Sequence, residues 1–170
     1  KDGNLYKAYW ADLGPATLEH RRGSDGDDSG KQYFSAADMD ARTYQLKTND
    51  DSDDPPELQT YDDLAQLVRV INGVELPGGD EKFQTAEYRA SVENIMNVKA
   101  FLRWASVNIL IGGWDNYWRT PANYYLYDSG RKGAEEAFMA KPYFTWLPWD
   151  YDNSFGIDFF GTPWQSKNIV

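Results

Sequence analysis

Of the 27 aromatic residues in this chain, 18 fall between positions 101 and 164, against nine in the first hundred. Aromatic rings dominate core burial, so this imbalance places the expected core, and any site it supports, in the second half. Most of these rings are read as packing. A chain of 170 residues is expected to form one domain and to bury roughly two-thirds of its unfolded surface.

The element pattern points to an α+β fold. Residues 4–10, following the turn pair Asp2-Gly3, and the alternating stretch 43–47 read as short strands. Between them, 22–30 sets Asp25, Asp27, Ser29 and Gly30 at positions 1, 3, 5 and 6 of a calcium-loop pattern. That pattern fails at position 12, where Ala36 stands in place of a bidentate Glu, so a polar turn is the better reading. Residues 49–63 carry seven acids and no base around Pro55-Pro56 and read as a solvated loop. Asp62 and Asp63 also suit the positive end of a following helix, whose Leu64, Leu67, Val68 and Ile71 keep helical spacing and which Asn72-Gly73 ends.

A short helical segment over 87–96 precedes a longer helix over 98–111, capped by Asn97. Its Phe101, Leu102, Trp104, Ala105, Val107, Leu110 and Ile111 are apolar over most of the circumference, so it is expected to be the most buried element. Gly112-Gly113 stops it, and Trp114-Asp115 follows at once. Residues 123–127 and 143–149 read as strands, joined by a polar excursion over 128–142 with a possible helical turn at 134–139.

Composition narrows the function classes. The net charge of −10 disfavours duplex-wide nucleic-acid binding, so any phosphate must be held locally, with a metal ion the natural means. There are no cysteines and a single histidine, His20, which removes disulfides, thiolate metal sites, cysteine nucleophiles and two-histidine metal sites. No stretch approaches the roughly 20 apolar residues needed to span a bilayer. The start at Lys1 is neither an initiator methionine nor a signal peptide, so the chain is expected to be a segment of something longer.

Three polar groups stand at the ends of apolar elements: Asp115 after the long helix, Asn123 at the head of one strand, and Asp150-Tyr151-Asp152 at the tail of the next. The gaps are 8 residues from Asp115 to Asn123 and 27 from Asn123 to Asp150, with Phe155-Gly156 just beyond. Acids and an amide are hard oxygen ligands of the type that hold Mg²⁺ against phosphate, and a separate Asp in a loop can orient a hydroxyl nucleophile. That is the arrangement of a protein-kinase C-lobe, in which an Asp, then an Asn, then an Asp near a Phe-Gly carry the chemistry. Spacing alone leaves three readings open: phosphoryl transfer, a cation site with a structural or adhesive role, and no site, the Asp-x-Asp-Asn-Ser stretch being then only an Asx-capped bend.

A set of strings discriminates further. Asp2-Gly3-Asn4-Leu5-Tyr6-Lys7, Tyr44-Gln45-Leu46-Lys47-Thr48-Asn49 and Phe101-Leu102-Arg103-Trp104-Ala105-Ser106-Val107-Asn108 are followed by Gly113-Trp114-Asp115-Asn116-Tyr117, Asn123-Tyr124-Tyr125-Leu126-Tyr127 and Pro148-Trp149-Asp150-Tyr151-Asp152-Asn153-Ser154-Phe155-Gly156. Together, and in this order, they resemble the spore-coat CotH kinase family over nearly the whole of residues 1–170, and the last three are the specific ones.

The resemblance implies an atypical, secretory-type protein kinase that phosphorylates serine on protein substrates with ATP and Mg²⁺ or Mn²⁺, at the cell surface or outside the cell. It implies Asp115 as the catalytic acid, Asn123 as the amide of the catalytic loop that meets the nucleotide and metal, and Asp150 as the metal-binding acid. Asp152 is a second-choice metal ligand. The family's N-lobe, with a phosphate-holding Lys and its Glu, precedes the string at which this chain starts. A missing N-lobe segment or a companion chain is therefore an expected partner, and Leu5, Tyr6 and Tyr9 are expected to present an uncovered apolar edge. Neither Lys7 nor Lys47 is assigned the vacant lysine's role. The rival readings on the same fold are a non-catalytic coat or adhesion module and an aromatic-lined glycan-binding module.

Overall fold

The computed structural model describes residues 3–10, 14–20, 43–51, 53–131 and 138–155. The calcium-like stretch with Asp25 and Asp27, the excursion's residues 134–137, and Gly156 lie outside the described residues. Strands β1 (Asn4–Ala8), β2 (Tyr44–Leu46), β3 (Tyr124–Asp128) and β4 (Phe144–Pro148) form one antiparallel sheet in the order β2-β1-β3-β4. Helices α1 (Asp62–Ile71), α2 (Ala86–Ile95) and α3 (Val98–Leu110) lie between β2 and β3 in sequence. Helix and antiparallel sheet together make the α+β class expected from the sequence.

Strand alternation decides what the sheet buries. In β1, Asn4, Tyr6 and Ala8 turn inward, and in β3, Tyr124, Leu126 and Asp128 do, as the period of two requires. Helix α1 adds Leu64, Leu67 and Val68 to the same core, each fully buried, and Ile71 packs at its margin. Its C-terminal end is where the Asn72-Gly73 signal set it, with Gly73 left-handed at φ 57°. The cap expected at Asn97 is also present: its side chain accepts from the Ala100 amide at 3.1 Å.

Rings from α3, its following loop and the β3–β4 pair lock together. Tyr124 and Trp146 stack with centroids 3.9 Å apart, and Trp104 stands 4.7 Å from Trp146 and 5.9 Å from Trp118. The core nevertheless draws on both halves of the chain, because Tyr6, Tyr44 and α1 join these rings in one cluster. Confinement to the second half, as the ring distribution implied, is corrected on that point.

Three further expectations are corrected. Helix α3 is not the most buried element: it buries Trp104, Ala105 and Asn108, leaves Phe101 half-buried, exposes Leu102, Val107 and Ile109, and leaves Leu110 84% exposed. Only the side toward β4 and the Tyr117-Trp118 loop is covered among the described residues, and apolar residues elsewhere on its circumference find nothing to pack against. Strand β1 is not an open edge. It lies between β2 and β3, with Tyr6 fully buried and Leu5 and Tyr9 half-buried, because residues far along the chain return to pair with it. Finally, the acidic run is solvated at Asp50, Asp51, Asp53 and Asp62 but not at its ends, where Asn49 and Asp63 are completely buried.

Candidate functional site

Antiparallel pairing places the site. Tyr124 of β3 lies opposite Pro148 of β4, so the residue before β3 and the residues after β4 emerge at the same end of the sheet. These are Asn123 and the Asp150–Asp152 turn. Both Asn123 and Asp150 adopt left-handed backbone at φ 57°, a conformation that Asn and Asp tolerate better than other non-glycine residues. The chain thus enters β3 and leaves β4 by sharp turns that carry polar side chains.

Asp115 reaches the same place from α3. Gly112, left-handed at φ 64°, ends the helix, and the loop beyond is fastened to the residues after β4. Trp114 N donates to the Asn153 carbonyl at 3.4 Å, and Phe155 N donates to the Ile111 carbonyl at 2.7 Å. Gly113 is required here for space, since a methyl group at its Cα would collide with the Asn108 side-chain oxygen.

The Asp115 carboxylate is held at both oxygens. Thr120 Oγ1 donates to Oδ1 at 2.5 Å and Asn153 Nδ2 to Oδ2 at 2.9 Å, while Asn123 Nδ2 donates to the Asp115 main-chain carbonyl at 2.9 Å. Asn153 Nδ2 also lies 3.1 Å from Asp152 Oδ1, so one buried amide ties the two acids together. With its nitrogen on Asp115, Asn123 presents Oδ1 as the atom free to meet a ligand.

Electrostatics adds Asp150 to the group. Its carboxyl is raised above the usual range, first by loss of hydration, then by the charge and hydrogen-bonding of Asp152 and by the charge of Asp115; Lys7 opposes the shift. The three sequence-predicted acids therefore share one electrostatic neighbourhood. Among the described residues no group of three or more His, Cys, Asp or Glu side chains is arranged to hold a metal ion. The oxygen donors available for one are Asp150, Asp152 and the Asn123 amide, hard ligands whose mutual repulsion a divalent cation would relieve.

Sequence reasoning missed three contributors. Thr120 and Asn153 are common turn residues, and Asn153 stood out only as part of the Asp-x-Asp-Asn-Ser turn and of the string that resembles the CotH kinase family. Lys7 projects from β1 toward the site, its ammonium 4.5 Å from the Tyr9 ring centroid and 5.9 Å from that of Trp149. Its pKa is raised, chiefly by a hydrogen bond to Tyr9, with Asp150 acting in the same direction. Its pairing position opposite Tyr125 becomes visible only once β1 is known to lie beside β3.

Comparison with known proteins bears on this arrangement. No solved structure matches the chain. It is 26% identical over 140 residues to the inner spore coat protein H of Bacillus subtilis (strain 168), an alignment covering 79% of this chain and 31% of that protein, so the chain spans about a third of the relative's length. The family model described as CotH kinase protein matches residues 1–162, a span that includes Asp115, Asn123, Asp150 and Asp152, and the chain belongs to that family.

Proposed function

We propose that this chain carries the catalytic face of a kinase-like C-lobe which transfers the γ-phosphate of ATP to serine on a protein substrate. The observation that carries the reading is the Asp115 carboxylate, fixed at both oxygens beside the Asp150–Asp152 pair and Asn123. A carboxylate oxygen that accepts one hydrogen bond keeps a lone pair for another. Asp115 is thus placed to accept a bond from a serine hydroxyl and to orient it toward phosphorus, which is the protein's main task in phosphoryl transfer. Asp150, with Asn123 Oδ1 and with Asp152 as the weaker choice, would hold Mg²⁺ or Mn²⁺. When bound, that ion supplies positive charge against the phosphate oxygens. A nucleotide-holding lobe, on the same polypeptide or a companion, completes the site, and the serine-rich substrate is met at a coat or cell surface.

A second reading is a binding module of the spore coat or cell surface. The relative's name, a spore coat protein, favours it, as do Trp149 and Phe155, exposed at the margin of the site. The test uses the protein expressed at the full length of its gene, with ATP and Mg²⁺ or Mn²⁺. Phosphate transfer to a serine-rich acceptor is expected. Asp115→Asn should keep metal-dependent nucleotide binding and lose transfer by a factor on the order of 10² to 10⁴, the span of a positioned acid–base group. Asp150→Ala should lose nucleotide binding as well as transfer. Equal transfer by wild type and Asp115→Asn would sink the kinase reading, and retention on coat protein or glycan without any transfer would favour the module.

A further inference from the structure

At the other end of β3 from Asn123, two carboxyl groups are buried together. Asp128 closes β3 and Asp63 lies in the first turn of α1, and neither is accessible to water. Asp63 Oδ1 accepts from the Tyr6 hydroxyl at 2.5 Å and from the Leu64 amide at 2.8 Å, and its Oδ2 accepts from Asn4 Nδ2 at 3.3 Å. Asp128 Oδ1 accepts from the Gly130 amide at 2.9 Å and the Tyr143 amide at 2.8 Å. Asp128 Oδ2 is buried with no donor, and Asn4, which lies opposite Asp128 across the β1–β3 pair, bonds Asp63 through its side chain, so the two carboxyls are neighbours.

Among the described residues, the side chains that bond the pair are neutral. Strand β1 contributes Asn4 and Tyr6; Asn49 donates to Asn4 Oδ1 at 2.8 Å; the Tyr6 hydroxyl, the Leu58 carbonyl and the Met139 sulfur are the other acceptors of the Asn4 amide. Among the described residues neither acid forms an ion pair with Lys, Arg or His. Two adjacent anions without water or a cation are strongly disfavoured, and an orphaned buried acceptor requires a donor. One proton removes both faults.

We infer that Asp63 and Asp128 form a proton-binding site, in which a proton on Asp128 Oδ2 is donated to the Asp63 carboxylate and ties the start of α1 to the end of β3. The direction of titration agrees. Burial raises both carboxyls, and the charge of Asp63 adds to the effect on Asp128, which is pushed up to about 7. Hydrogen bonds from Tyr6, Asp128, Leu64 and Asn4 restrain the rise at Asp63. The Tyr6 phenol is driven well above its ordinary value, first by burial and then by the Asp63 charge.

A folded chain that keeps a proton the unfolded chain releases is stabilised most below the ordinary carboxylate range. That stability is lost as pH rises toward neutrality and is gone above it. Between those limits each retained proton makes the unfolding equilibrium constant grow by up to about tenfold per pH unit. The pair therefore loosens the chain as pH climbs, whatever the chemistry at the other end of the strand.

The test is denaturant unfolding of wild type and Asp128→Asn at about pH 5 and about pH 8. An asparagine amide puts a permanent donor where the proton sits, while its oxygen still accepts from Gly130 and Tyr143. The wild-type unfolding constant should rise roughly 30-fold more across this interval than that of the variant. Infrared spectra of wild type should show a protonated-carboxyl C=O band at about pH 6 that disappears above about pH 8 and is missing in Asp128→Asn. Parallel pH dependence in the two proteins would overturn the inference. So would absence of the band in wild type, which decides the matter even where the variant fails to fold. Stabilisation of wild type but not Asp128→Asn by Mg²⁺ or Ca²⁺ at about pH 8 would also overturn it, by assigning the pair to a cation.

Discussion

A single amide group serves two acids at the proposed catalytic end of the sheet. Asn153 Nδ2 bonds Asp115 Oδ2 and Asp152 Oδ1, and Thr120 occupies the other Asp115 oxygen, so the carboxylate has one orientation. Misplacement of a reacting group by about 1 Å costs on the order of 10² in rate. Asn153→Ala is accordingly expected to lower kcat for phosphate transfer about 100-fold with KM for ATP nearly unchanged. Asp150→Ala should alter both parameters. Steady-state kinetics separate the cases: a change confined to KM would assign Asn153 to nucleotide and metal binding through Asp152. The acids and Asn123 were legible in the sequence because each terminates an apolar element, where a polar side chain has to face outward or into a site. Thr120 and Asn153 were not, because what makes them matter is the path of 153–155 alongside 111–114, a tertiary fact without a local pattern.

Elements were legible wherever capping and periodicity agreed. All four strands and the ends of α1 and α3 lie where turn residues and caps set them, since these signals act within a few residues. Coverage was not legible. Periodicity states which side chains can be buried and says nothing of what lies against them, which is why α3 carries a face left uncovered among the described residues and β1 has neighbours on both sides. The distinction has a measurable consequence. Trp146 is buried between Tyr124 and Trp104, whereas Leu110 is 84% exposed. Trp146→Ala should cost about 3 to 5 kcal/mol, the usual range for emptying a buried aromatic site. Leu110→Ser should stay within about 0.5 kcal/mol of wild type, as surface substitutions do. Urea unfolding of both variants gives the comparison, and a cost above about 2 kcal/mol for Leu110→Ser would mean that the outer face of α3 is covered in solution.

At the scale of the molecule, the sheet order makes the fold depend on its own far end. Strand β1 lies between β2 and β3, with Leu5 opposite Tyr127 and Tyr6 opposite both Leu46 and Leu126, so its second partner arrives only after all three helices have been passed. The inward residues of β1 and the buried face of α1 pack into one cluster with Tyr124, Leu126, Phe144 and Trp146. No disulfide holds an early subset together, because the chain has no cysteine. Closing loops of this length costs entropy before the contacts repay it, which favours slow, cooperative formation over assembly from the N-terminal side. Amides of β1, α1 and β3 should therefore exchange with solvent through the same global opening, at one common free energy. A chain ended at Thr120 lacks β3 and β4 and should show no protected amides in β1 or α1, because the surfaces that bury Tyr6, Leu64 and Leu67 are then gone. Hydrogen exchange read by mass spectrometry tests both statements; persistent protection of β1, β2 and α1 in the shortened chain would show that these elements form a core of their own, to which the strands carrying Asn123 and Asp150 are added afterwards.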